Sequence, residues 1–192
     1  YQDGKQVNEI YASKLGDFKN FYVYQGLTTD SYSVSVGELG KFTGCVSFQG
    51  CPVFFKENKI YKIYGAMPSE YTLNEINAEG VQQGSSKSMV VIGEYLLYKG
   101  VNSILIYDGS WPTAIGSALG RGNLFYDGIA GGCHNKYYLT LTDERVLHHM
   151  FVYDIELGIW EKESYLPFMQ FSNSVNGQLF GITDDTLWGL GN

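Results

Sequence analysis

Thiol and imidazole groups are scarce in this chain, which has three cysteines and three histidines among 192 residues. A cysteine-dense, disulfide-built scaffold is thereby excluded. A zinc centre would have to draw its three or four converging ligands from very few groups. Cations are also few. Lys and Arg total 13 against 20 Asp and Glu, a net charge of -7, so the clustered cations that release counterions from a phosphate backbone are missing. Direct, sequence-specific nucleic-acid binding is not expected. No run approaches the roughly 18 to 20 apolar residues of a membrane helix, and no charged-then-apolar leader opens the chain. A soluble protein without a membrane partner is the expectation. No segment keeps apolar residues at helical spacing for three turns, so helices should be nearly absent.

What is present favours strands and tight turns. Glycine reaches 24 and tyrosine 16, with 44% apolar and only 17% charged residues. The length suits one repeat-built domain. The chain begins with Tyr1 and ends on Leu190-Gly191-Asn192 directly after an apolar strand, which suggests a fragment of a longer protein.

Internal repetition is the most informative pattern. A short strand ending in an aromatic and a turn residue recurs at Lys59–Gly65, Ser103–Gly109, His149–Asp154 and Asp185–Gly189. Each copy follows another apolar strand across a polar turn: Pro52–Lys56, Tyr95–Lys99, Lys136–Leu141 and Gln178–Ile182. The pair repeats at roughly 35 to 45 residues, the spacing of propeller blades. Upstream, Phe42–Phe48, Ser88–Ile92, Tyr126–Ala130 and Phe168–Ser172 suit innermost strands, and downstream Tyr71–Ile76, Ala114–Gly116 and Ile159–Glu163 suit outer ones. The expected fold is therefore all-β, a β-propeller or partial propeller of four-stranded antiparallel meanders with four to five blades. The last copy stops after its third strand. Residues 1–40 fit less well: Phe21–Tyr24 and Ser31–Val36 read as strands that form a partial closing blade and supply what the last copy lacks.

Cys45 and Cys51 flank Gln49-Gly50. In a two-residue hairpin Cys45 opposes Phe54 and Cys51 opposes Phe48, so the thiols point to opposite faces and cannot bridge. Reduced cysteines are expected there, Cys133 has no obvious partner, and this suits an intracellular origin.

Candidate chemistry is sparse. Cys133-His134 and His148-His149 are the only metal-like cluster, but adjacent histidines on a strand point to opposite faces. No metal or cofactor is expected. The close carboxylate pairs, Asp143-Glu144 and Asp184-Asp185, fall between consecutive strands, where Asp supports turns. Tyr107-Asp108-Gly109-Ser110-Trp111 lacks the residue a sialidase Asp-box has between its Asp and Gly. No Gly-x-Ser-x-Gly elbow occurs, and Gly120-Arg121-Gly122 has Phe125 where a dinucleotide loop has its third glycine. No catalytic residue is assigned. Trp111, after a repeat's third strand, and Trp160, on an outer strand, are the candidate recognition residues.

The stretches Ala12–Phe21, Thr29–Tyr32, Phe42–Cys45, Pro52–Asn58 and Ile63-Tyr64-Gly65 resemble those of bacteriophage and prophage structural proteins, of the head-to-tail adaptor, stabilisation or tail type. The likeness continues through Gly84–Ser88 and Tyr107-Asp108-Gly109, over about residues 10–165. It implies a virion component, assembled in the bacterial cytoplasm, whose partners are other phage proteins or copies of itself, and it brings no catalytic residues. Tyr153-Asp154 and Trp160 also echo kelch propellers, but the double glycine of that family occurs once, at Gly131-Gly132. The expected function is thus a non-enzymatic structural or interaction module of a phage particle. The alternative is a carbohydrate- or protein-recognition propeller, and a glycoside hydrolase ranks last.

Overall fold

The computed structural model describes residues 7–37, 40–120 and 124–190. Arg121 and Gly122 of the glycine-rich stretch, the first six residues and the last two lie outside them. The chain is all-β, built of antiparallel sheets. A first pair, β1 (Glu9–Ala12) and β2 (Tyr32–Ser35), is followed by three four-stranded meanders. These are β3 (Gly44–Phe48), β4 (Cys51–Phe55), β5 (Ile60–Tyr64) and β6 (Thr72–Ile76); β7 (Val90–Ile92), β8 (Tyr95–Lys99), β9 (Ile104–Tyr107) and β10 (Thr113–Ala114); and β11 (Phe125–Cys133), β12 (Lys136–Asp143), β13 (His148–Asp154) and β14 (Ile159–Ser164). A three-stranded sheet, β15 (Gln170–Asn173), β16 (Leu179–Ile182) and β17 (Leu187–Leu190), ends the series. Helix is confined to three short 3-10 turns.

The turns carry the register. Gln49 and Gly50 both have positive φ, 50° and 72°, the geometry of the two-residue turn that matches strand twist. Cys45 consequently opposes Phe54, and Cys51 opposes Phe48, as the spacing requires. Cys45 and Cys51 do not bridge each other, and the Cys133 thiol donates to Gly177 O at 3.3 Å.

Alternation along each strand then sends side chains to both faces, and the sheets stack in chain order. Phe48, Val53, Phe55 and Ile60 of the first meander meet Leu96, Tyr98, Leu105 and Tyr107 of the second. The second meander's other face, Ile92, Leu97 and Ile104, meets Tyr137, Leu139 and Phe151 of the third. Tyr138, Met150 and Val152 turn the opposite way, onto Phe168 and Leu179 of the last sheet. Each such buried side chain contributes on the order of 2 kcal/mol relative to exposure.

Glycines set how closely the sheets approach. A Cβ at Gly131 would lie 2.6 Å from Phe171 Cβ of the last sheet, and one at Gly132 would lie 2.8 Å from Val90 and Ile92 of the second meander. Farther out, the gap between the second and third meanders holds the large rings of Tyr153 and Trp160. Serines seal the same inner region. Ser85 Oγ accepts the Gly128 N–H at 2.9 Å, Ser88 Oγ accepts the Lys99 N–H at 2.9 Å, and the Tyr137 hydroxyl donates to Ser88 O at 2.8 Å. Ser85 and Ser88, both fully buried, brace the Gly84–Ser88 segment against the sheets.

Two sequence expectations are corrected. Phe21–Tyr24 forms no strand; it lies in the β1–β2 connection, where aromatic propensity finds no ladder partner. Nor do the N-terminal strands complete the last sheet. β1 pairs with β2, and Ile10, Val34 and Val36 cover Tyr61 and Ile63 on the free face of the first meander. Apolar burial there outweighs edge pairing at the far end. Among the described residues β17 has no strand on its outer side.

Candidate functional site

The connection between β12 and β13 brings the best-organised polar groups together. Asp143 and Leu147 close a turn with a backbone bond of 3.0 Å. Asp143 Oδ1 accepts the N–H groups of Arg145 and Leu147, both at 2.9 Å. Its Oδ2 lies 2.9 Å from His149 Nε2. The imidazole partner and these N–H groups hold the Asp143 carboxyl below the usual carboxylate range. His149 is stacked on Phe151, two residues along the same face of β13, at 6.1 Å and 22°, and is flanked by Phe125 and Tyr165. Its Nδ1 is buried without a hydrogen-bond partner among the described residues.

These groups line a cavity of about 640 Å³ at the margin of the second and third meanders. Phe125, Phe151 and Trp160 form its aromatic wall, and Glu144, Arg145 and Lys162 its charged rim. Trp160 is fixed by its indole N–H, which donates to Ile115 O at 2.8 Å, and by Tyr153 at 4.9 Å. The Lys162 ammonium sits 4.3 Å from the Tyr165 ring centre and 5.9 Å from that of Phe151.

Of the two tryptophans expected to recognise a partner, Trp160 lines this cavity and Trp111 does not. Trp111 is 58% exposed after β9, beyond a turn in which Asp108 accepts the Ser110 N–H and hydroxyl. The structure does not join them in one site. Asp184 and Asp185 lie in the exposed β16–β17 turn, where Asp185 accepts from Thr186. Cys133 stands opposite Lys136, and Lys136 opposite Asp154. Asp154 is five residue steps along β13 from His149, roughly 17 Å at strand rise. Among the described residues no three His, Cys, Asp or Glu side chains come together as a metal cluster. The Asp143–His149 pair escaped sequence reasoning, although the hairpin spacing contained it. Asp143 and Leu147 close a three-residue turn, which puts His149 diagonally across from Asp143 on one face.

No protein-family model matches the chain, and no curated protein matches it. Among solved structures it is similar to the extracellular domain of a one-component system from B. thetaiotaomicron, at 14% identity and a TM-score of 0.42. The match covers 88% of this chain and 29% of that one. At that level of likeness it carries no argument about function.

No helix of the described residues is long and apolar enough to cross a membrane.

Proposed function

We propose that the chain is a section of a β-propeller and acts as a non-enzymatic structural or interaction module of a phage or prophage particle. Sequential four-stranded meanders, stacked face to face with close approaches at Gly131 and Gly132 of β11, support the propeller reading. The observation that carries the interaction reading is the uncovered last sheet. β5, β9 and β13 are buried along most of their length, whereas Leu187, Trp188 and Gly189 of β17 are exposed. On the outer face of that sheet Leu187 and Ile182 lie open beside half-buried Phe180. A second apolar surface lies on the β1–β2 connection, where Phe18 is 76% and Tyr22 63% exposed. Such surfaces mark contacts with other polypeptides. The partners in this reading are other phage structural proteins or further copies, with assembly in the bacterial cytoplasm and residence in the virion. Mass spectrometry of purified particles from the induced prophage tests it: a fixed copy number per particle is expected, and absence from the particles would refute it.

A second reading, recognition of a carbohydrate or a protein, is favoured by the aromatic, charge-rimmed cavity at Trp160. Hydrolysis of a glycoside is disfavoured by the state of Asp143, since a carboxyl held below its usual range by three donors is a poor general acid.

A further inference from the structure

We infer that the cavity bounded by Phe125, Phe151 and Trp160 binds a neutral sugar ring; this rests on the recognition reading. Its volume of about 640 Å³ falls within the range of small-molecule sites. The charges of the lining decide the ligand class. Asp143 and Glu144 oppose Arg145 and Lys162, so an anion meets two carboxylates and a cation meets two bases. The aromatic position a cation would seek is already held by Lys162, over Tyr165 and Phe151. A neutral ligand rich in hydroxyls meets neither obstacle. Each hydroxyl both donates and accepts, and the rim supplies an acceptor in Glu144 and donors in Arg145 and Lys162. Glu144 and Arg145 are exposed and make no side-chain hydrogen bond or ion pair among the described residues. The aromatic wall matches the apolar C–H face of a pyranose. His149 Nδ1, kept as an acceptor when Nε2–H donates to Asp143, is a buried nitrogen that a hydroxyl entering beside Tyr165 would satisfy.

Saturation-transfer NMR on the whole chain tests the inference, with glucose, galactose, N-acetylglucosamine and maltose as neutral probes and glucuronate and glucosamine as charged ones. At least one neutral sugar is expected to bind, more tightly than either charged probe. Arg145→Ala and Glu144→Ala, both at exposed positions, are expected to weaken it by about tenfold each, the loss of one hydrogen bond to a charged group, while Trp111→Ala leaves it unchanged. Binding that survives both rim substitutions overturns the cavity assignment and leaves recognition to another surface. Tighter binding of a charged probe overturns the ligand class. No binding of any probe overturns the inference together with the carbohydrate form of the recognition reading.

Discussion

Single residues decide how near the sheets can come. Gly131 and Gly132 point to opposite neighbours, and neither position has room for a methyl group. Gly132→Ala is expected to destabilise the chain by about 1–3 kcal/mol, as overpacking does, measured by urea denaturation. Lys99 makes a different demand. It is buried, its ammonium donates to Gly100 O and to Val101 O, the latter at 3.2 Å, and burial lowers its pKa from 10.5 to about 8. Between those values the unfolded chain binds the extra proton, so stability should rise with pH from about 8 toward 10. Above 10 the buried tyrosines reverse the trend, because Tyr107 is pushed up to about 12 and stays protonated only when folded. Lys99→Met should flatten the rise, as read from denaturation midpoints at successive pH values. Asp143 has the opposite sign. Its depressed carboxyl contributes stability above the usual carboxylate range that is lost as pH falls through its lowered pKa. Asp143→Asn is expected to remove that part of the acid sensitivity.

At the scale of elements, much was legible. The strand–turn–strand unit, the strands flanking it in each four-stranded meander and the Cys45–Phe54 register all follow from alternation and turn residues, which are local properties. Gly50, at φ 72°, is the turn residue that register depends on. Gly50→Val is expected to cost on the order of 1–2 kcal/mol through backbone strain, seen as a lower thermal midpoint. What failed was non-local. Phe21–Tyr24 has strand composition, yet its residues lie in a connection closed by its own bonds: Ser31 N–H to Val23 O at 2.9 Å and Leu27 N–H to Asp30 at 3.1 Å. Composition cannot tell whether a ladder partner exists. The cavity was half legible, since Trp160 stood out as a large aromatic on an outer strand. Arg145 and Lys162 did not, because their meeting beside His149 depends on the pairing of β14 with β13, which the sequence of either strand alone does not specify.

For the whole molecule, the stack of sheets leaves apolar surface at each end of the series. The last sheet exposes Ile182, Leu187 and Trp188, and the β1–β2 connection exposes Phe18, Tyr22 and Tyr24. The edge strand β17 carries no charge and no proline to discourage pairing. In the proposed role these surfaces are the working parts, and the interior only holds them in place. Hydroxyl-radical footprinting of the isolated chain and of the same chain within purified particles tests that claim most directly. Labelling of Leu187, Trp188, Phe18 and Tyr22 is expected to fall severalfold on assembly, while exposed Val175 in the β15–β16 turn stays as reactive as before. Equal labelling of all five in both states would contradict it.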